Sequence, residues 1–301
     1  MKLSGKLLNP VARRLRTHPQ LGRMALRCLP DHRRVIEVKA IGPLAIRNRR
    51  HRAYWLRGPT WHERFPLGAL RACITPDDVV WDIGSNIGMY ARFEVQAFGA
   101  SHVCAFEPMS ENLALLRENI ERGGIAGRVT IVPVAVGDRD ARMQLQIDDV
   151  QSATAVLDAV APGRASQGRS NLGLPPKTEE VQVRTIDSLI AEGVLPEPTI
   201  VKIDVEGAEQ LVLEGAREFL EQGQTLYLIE LHGIEPGRAV GRHLLDLGYT
   251  LRGRVRENVD PSQYVPVTQG LLDGLQGRND LQFIVASRDP SRVPEAVPLF
   301  E

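Results

Sequence analysis

The stretch Val79-Val80-Trp81-Asp82-Ile83-Gly84-Ser85-Asn86-Ile87-Gly88 limits the fold of this chain more than any other. A run rich in β-branched residues stops at an acid and a glycine. A short polar turn, a second glycine and a helix-like segment follow. That order is a strand, a tight turn and a helix start, the unit from which open parallel α/β sheets are built. In such sheets ligands bind beyond the carboxyl ends of the strands. The remaining strand ends are therefore where chemistry is to be sought.

From Val79 onward the pattern is regular. It predicts strands at 79–83, 102–106, 129–136, 143–147, 181–184, 199–205, 225–231, 249–255 and 281–286. Helices are predicted at 87–98, 110–122, 186–192, 207–221 and 237–247. Alternation of strand and helix implies an α/β fold, a mostly parallel sheet with helices on both faces. No long helix separates the last two strands, so one of them is expected to be antiparallel. Residues 148–179 are rich in Ala, Ser, Gly and Pro and read as an insertion with one short helix. Upstream, Leu7, Leu8, Val11, Leu15 and Leu21 give residues 1–30 a loose helical period, limited by Pro10, Pro19 and Pro30. Residues 33–58 alternate through Val35, Ile36, Val38, Ile41, Leu44 and Ile46, a β-hairpin pattern around Gly42-Pro43. Residues 59–78 lead into the first core strand. The expected organisation is an N-terminal extension over 1–64, a main domain over 65–290 and a tail over 291–301.

A chain of 301 residues, 43% hydrophobic and 25% charged, suits one large α/β domain with an extension. No apolar run is long enough to span a bilayer. Residues 1–30 lack the uninterrupted apolar core of a secretory signal. Cys28, Cys73 and Cys104 show no metal spacing, and so sparse and odd a set fits a reducing compartment, hence a cytoplasmic expectation. Cys104, inside an apolar run, is read as core packing. Net charge is zero, yet residues 1–64 carry 16 Lys/Arg against 3 Asp/Glu, leaving 21 against 34 for the rest. Either the basic arm docks on its own acidic body, or it meets an anionic partner: a membrane surface contacted peripherally, a nucleotide-linked substrate or nucleic acid. Aromatic residues make up only 5% of the chain, and the arm offers just Tyr54, Trp55 and Trp61 for base stacking, which disfavours nucleic acid.

Four strand ends carry charged or polar residues. At the first, Gly84 admits close approach of backbone to a ligand, and the helix start beyond it offers free N–H groups. Gly84 and Gly88 are four apart with Asn86 between, which departs from the G-x-G-x-x-G dinucleotide fingerprint. Asp82 suits a cationic ligand better than a pyrophosphate. At the second, Glu107 lies 25 residues after Asp82, where a carboxylate can accept both hydroxyls of a ribose. Helix-dipole stabilisation is the plainer explanation of that acid. Ser110 is the expected N-cap of the next helix. At the third, Lys202, Asp204 and Glu206 alternate on one face of a strand expected to be central. Burying three charges there is costly unless they pair or are used, and a structural Lys–Asp pair is one solution. At the fourth, Glu230 and His232 share a face, and a histidine can take a proton from a hydroxyl. Asp204, Glu206, Glu230 and His232 could also hold a divalent metal, though none is assigned, and a simply hydrogen-bonded His232 is the structural alternative.

Together these residues resemble a class I S-adenosylmethionine-dependent methyltransferase of the FkbM family, over roughly residues 77–235. The resemblance rests on Asp82, Gly84, Asn86 and Gly88 in V-x-D-I-G-x-N-I-G; on F-E-P ending at Pro108 and the following Asn112; on A-V-G-D from Ala135 to Asp138; and on K-I-D-V-E-G-A-E followed by I-E-x-H. Thr185-Ile186-Asp187-Ser188-Leu189 is similar to the T-x-D-x-L segment of the family. Ser85 stands where the family often has alanine. The resemblance implies a Rossmann-like sheet of seven strands with an antiparallel last strand. It implies methyl transfer from S-adenosylmethionine to a hydroxyl of a sugar, glycolipid or natural product. Asp82, Gly84 and Gly88 would lie near the methionine moiety, Glu107 at the ribose, and Ala135 and Val136 near adenine. Asn86 and Asn112 complete the expected cofactor set. Residues 1–60, 148–179 and 256–279 lie outside the resemblance and are expected to shape the acceptor site. Chemically, His232 or Asp204 is the expected base, with Glu206 or Glu230 orienting it or the acceptor. The alternatives are a nicotinamide-dependent oxidoreductase, which the glycine spacing opposes, a non-catalytic nucleotide-binding module on the same sheet, and a nucleic-acid methyltransferase.

Overall fold

The computed structural model describes residues 29–148, 155–157, 169, 173–255, 263–277 and 280–300. The expected helix over 1–30, Cys28, most of the 148–179 insertion and residues 256–262 lie outside them. No helix among the described residues is long and apolar enough to cross a membrane.

The strands in chain order are β1 (Arg33–Val38), β2 (Gly42–Arg47), β3 (Val79–Ile83), β4 (His102–Phe106), β5 (Val129–Val132), β6 (Ala135–Val136), β7 (Ala141–Ile147), β8 (Ala155–Leu157), β9 (Thr178–Arg184), β10 (Ile200–Ile203), β11 (Leu226–Glu230), β12 (Thr250–Val255), β13 (Val265–Pro266) and β14 (Leu281–Ser287). The central sheet runs β13-β12-β14-β11-β10-β3-β4-β5. From β11 to β5 every pairing is parallel, whereas β14 inserts antiparallel between β11 and β12. Seven strands with an antiparallel last one are thus present, and the two-residue β13 adds an eighth at the edge. A separate sheet, β6-β9-β7-β8, flanks the carboxyl ends of β4 and β5.

Two departures from the sequence pattern have local causes. The run 129–136 is not one strand: Pro133 has no N–H to donate, so β5 stops and Ala135-Val136 joins β9 in the second sheet. The helix expected over 207–221 is two helices, Glu209–Glu214 and Arg217–Gln222. At the break Gly215 presses on Gly137, whose carbonyl oxygen would lie 2.0 Å from any Cβ placed there. The second helix starts under Asp187, which accepts from the N–H groups of Glu218 (3.1 Å) and Phe219 (3.0 Å).

The hairpin expected over 33–58 is shorter, β1 with β2, and residues 52–73 form three short helices instead. The β2 residues Leu44, Ala45 and Ile46 are fully buried in the same core cluster as Ile87, Val103 and Leu116. Asn119 holds the hairpin in place: its side chain accepts from the Ala45 N–H (2.7 Å) and donates to the carbonyls of Ala45 (3.0 Å) and Ile87 (2.8 Å). Arg92 donates to the carbonyls of Ile41 and Pro43 on the same hairpin. The opposite face of the sheet is packed by Trp81, Phe106, Val201, Leu213 and Phe219, and the buried Cys104 belongs to that layer.

Candidate active site

β3 and β10 are neighbours, and the chain leaves them toward opposite edges of the sheet. Their carboxyl ends form the switch point at which such sheets bind ligands. The turn after β3 is fixed by backbone bonds. Gly84 and Ser85 both donate to the Phe106 carbonyl (3.1 and 2.9 Å), and Asp204 donates to Ile83 (3.0 Å). Gly84 has φ +85°, and a Cβ there would lie 1.9 Å from the Asp204 carbonyl oxygen. The glycine is thus required by the neighbouring strand end rather than by a ligand. Asn86 (φ +52°) and Gly88 (φ +77°) are also left-handed, and Gly88 faces the side chain of Leu116.

Asp82 lies beneath this turn, not on its surface. It is 0% exposed and pairs with the Lys202 ammonium at 2.9 Å. Ser85 donates to Asp82, 2.8 Å from Oδ2, so the serine reinforces the buried pair. Burial opposes the charge of Lys202, but Asp82 and Asp204 outweigh it and raise its pKa. The Lys–acid pairing anticipated within one strand therefore runs mainly across strands, to Asp82, with Asp204 further off at 3.8 Å. Lys202 also stands over the Tyr90 ring at 4.4 Å. Below, Glu94 sits in a turn of π-helix, Phe93–Ala97, that replaces the end of the expected 87–98 helix. Burial, and then the charge of Asp82, push its carboxyl well above the ordinary range.

Two cavities open at the switch point. The first is a slot lined by Phe106, Glu107, Val134, Ala135, Val136 and Leu145 beside Gly84 and Asn86. Glu107 accepts from the Met109 N–H (2.8 Å) and from the Asn86 N–H and Asn112 side chain. Desolvation outweighs those bonds and pushes its carboxyl up to about 8. Asn112 is buried and acts through Glu107. The second cavity, about 690 Å³, runs from Gly84 and Asn86 past Tyr90, Glu63 and Glu230 to Phe65 and Arg254. Gly84, Asn86, Asp204 and Glu206 line both cavities.

At this shared wall the last two strand ends converge. His232 Nε2 is 3.7 Å from both Asp204 and Glu206, and its Nδ1 is 2.7 Å from Glu209. Glu206 takes a left-handed backbone, φ +53°. Glu209 is fully buried and also accepts from the Gly207 N–H at 2.9 Å. Burial disfavours the imidazolium, but Glu209, Asp204, Glu206 and Glu230 together raise the His232 pKa to about 10. Histidine therefore carries its proton at neutral pH. Glu230 is pushed well above the ordinary range by desolvation and then by Asp204 and Glu63. Among the described residues no group of three or more His, Cys, Asp or Glu has the arrangement of a metal site.

Asp204, Glu206, Glu230 and His232 are thus gathered on one wall. Gly84, Asn86, Glu107, Ala135 and Val136 line the slot, while Asp82, Gly88 and Asn112 stand behind it. Sequence reasoning missed Glu209, although K-I-D-V-E-G-A-E ends on it. It also missed Glu63, which bonds the Tyr90 hydroxyl at 2.9 Å and which desolvation raises to about 7. Glu63 and Arg254 reach the cleft from segments with no local motif, so only the fold reveals them.

A mostly parallel sheet with a partly apolar slot at its switch point, joined to a wider polar cleft, defines an open α/β protein with two adjoining cavities at its strand ends. The chain belongs to the FkbM methyltransferase family, whose domain model matches residues 82–251. It is 31% identical over 163 residues to the hexuronic acid methyltransferase AglP of Haloferax volcanii, covering 53% of this chain and 59% of that protein. It is 31% identical over 160 residues to the 31-O-demethyl-FK506 methyltransferase FkbM of Streptomyces tacrolimicus (48% and 62%) and 28% identical over 157 residues to the 2-O-methyltransferase NoeI of Sinorhizobium fredii (50% and 63%). The matched region spans about 60% of the length of these curated relatives. Among solved structures, a methyltransferase FkbM from Methylobacillus flagellatus aligns with a TM-score of 0.43 at 18% identity, over 71% of this chain and 44% of that one.

Proposed function

We propose that the protein is an S-adenosylmethionine-dependent methyltransferase acting on a hydroxyl oxygen of a sugar or natural product. The observation that carries this reading is the shared wall: one set of residues, Gly84, Asn86, Asp204 and Glu206, faces both the nucleoside slot and the wide cleft. Two reactants held on either side of one wall meet in a fixed orientation, which supplies much of the rate of an in-line displacement. The residues present fit the cofactor. Gly84 and Asn86 line that wall, Glu107 offers a carboxyl to ribose hydroxyls, and Val136, Leu145 and Phe106 offer an apolar slot to a flat base. Bound there, S-adenosylmethionine supplies an electrophilic methyl group on a cationic sulfur. The family and its relatives AglP, FkbM and NoeI, all methyltransferases, support methyl transfer, and FkbM and NoeI, which act at oxygen, favour an oxygen acceptor.

The chain's own groups divide the remaining work. His232 already holds a proton, so the acceptor hydroxyl proton goes to Asp204, the carboxylate on the wall. Held by Glu209 through Nδ1, the His232 imidazolium turns Nε2 toward Asp204 and Glu206 and steadies both. Glu230, pushed well up by burial, presents a carboxylic O–H that can donate to an acceptor oxygen, and Glu63, raised to about 7, faces the same cleft. The test is incubation with labelled S-adenosylmethionine and a panel of sugars, glycolipids and lipid extracts, alongside calorimetry with S-adenosylhomocysteine. The expected result is cofactor binding by the native protein and by the Asp204→Asn and His232→Ala variants, with turnover lowered at least 100-fold in both. No binding of S-adenosylhomocysteine overturns the reading, and near-native turnover in both variants overturns the assignment of roles.

A further inference from the structure

The wide cleft has a second pole that the proposed transfer chemistry leaves unused. Asp204 and Glu206 lie at the wall shared with the cofactor slot, Glu63 and Glu230 line the stretch beyond it, and Arg254 lies at the far end. Glu230 on β11 is in register with Phe283 on β14, and Phe283 with Arg254 on β12. In-register residues of neighbouring strands share a face, and all three line the cleft. β10 and β12 are three strand spacings apart, about 14 Å at ~4.8 Å per strand. Asp204 and Arg254 thus mark opposite ends of one groove.

Arg254 is built into place but left with hydrogen-bonding capacity. Its guanidinium carbon lies 3.5 Å from the centroid of the Phe65 ring, and Nη1 donates to the Gln282 side chain. Its Nε is buried and has no partner. No carboxylate pairs with it among the described residues. Beyond burial, the groups that bear on it electrostatically are Tyr264 and the Arg64 guanidinium, not the cleft acids. Arg64 stands over the same Phe65 ring at 4.8 Å and over Trp61 at 5.4 Å. A buried donor without an acceptor is costly, and two guanidiniums around one ring repel. An incoming oxyanion relieves both, and a planar guanidinium matches a carboxylate or phosphate.

We propose that Arg254, seated on Phe65 beside Arg64, forms an anion subsite that anchors a carboxylate or phosphate group of the acceptor while a hydroxyl of the same molecule reaches Asp204. This rests on the methyltransferase reading and narrows its acceptor to an acidic sugar or similar oxyanion-bearing alcohol. The probes are glucuronate, glucose 6-phosphate and glucose, titrated by ligand-observed nuclear magnetic resonance into the full chain saturated with S-adenosylhomocysteine. The native protein is expected to bind at least one of the two anions at least tenfold more tightly than glucose. Arg254→Gln should bring that anion to within about twofold of glucose. Arg254→Lys, which keeps the charge and loses the planar fork, should weaken it at least threefold and serves if the glutamine variant does not fold. Dependence on Arg254 for glucuronate alone identifies a carboxylate subsite, and for glucose 6-phosphate alone a phosphate subsite. Neither anion preferred over glucose, or a preference unchanged in both variants, overturns the proposal. S-adenosylhomocysteine binding is measured first in every protein. Its retention shows the variants are folded, and its absence in the native chain counts against the methyltransferase reading, not the subsite.

Discussion

Gly84 and His232 show how single residues set the conditions of the site. A side chain at 84 meets the Asp204 carbonyl at 1.9 Å while forced to φ +85°, so neither backbone nor contact can relax alone. Gly84→Ala should lower the stability to urea by about 3 kcal/mol, through overpacking and a strained dihedral, as read from the unfolding midpoint. His232 makes a prediction of definite sign. Its pKa rises from 6.5 to about 10 on folding. Its contribution to stability is therefore complete below pH 6.5 and is lost as pH rises through 10. The urea midpoint of the native protein should fall across pH 7–10 more steeply than that of His232→Asn. Turnover should fall over the same range if the imidazolium is the working form, and a rise in turnover toward pH 10 would make His232 the base instead. Strand-end acids at 107, 204, 206 and 230 were legible in the sequence, because charges closing apolar runs have few other uses. The position of Asp82 was not, since its partner Lys202 lies 120 residues away and nothing local records their meeting.

Among the elements, the strands of the central sheet followed from apolar runs and turn residues, and most were legible to within two residues. The breaks were not. Pro133 ends β5 by a local rule that could have been applied, whereas the break at Gly215 comes from packing on Gly137, a contact the sequence does not display. T-I-D-S-L, noted as a family-like segment, proves to be structural. Thr185 accepts from the Ser188 N–H at 3.0 Å to cap its own helix, and Asp187 caps the next but one. The β1–β2 hairpin is tied to the sheet through Asn119. Asn119 satisfies three backbone groups at once, so Asn119→Ala leaves the Ala45 N–H and two carbonyls without that partner. At 1–3 kcal/mol for an unsatisfied buried group, a loss of about 3 kcal/mol is expected from equilibrium unfolding. We accordingly expect the hairpin to fold with the sheet rather than as a detachable extension.

Across the whole molecule, charge is separated along the chain, 16 Lys/Arg to 3 Asp/Glu before residue 65 and the reverse excess after it. Within the described residues some of that separation is closed by pairing. Arg33 meets Glu118, and Arg50 meets both Asp31 and Glu111. Binding and pH are linked at this scale too. Desolvation raises Glu107 to about 8, so at pH 7 the free protein holds a proton there. A carboxylate accepting two ribose hydroxyls favours its release. S-adenosylhomocysteine should therefore bind more tightly as pH rises from 6 to 8 and should liberate close to one proton per site at pH 7. Calorimetry in buffers of different ionisation enthalpy measures this, and Glu107→Gln should remove it. Such a link depends on neighbours from two strand ends and could not be read from F-E-P alone. The contact between Gly84 and the Asp204 carbonyl has a bearing on engineering. Residue 84 already has the smallest possible side chain, so no substitution there can make room for an enlarged cofactor analogue. Remodelling for altered alkyl donors has to begin across the slot, at Leu145 or Val136 on the small sheet. There, trimming a methyl group would widen the slot without shifting Asp204 on the shared wall.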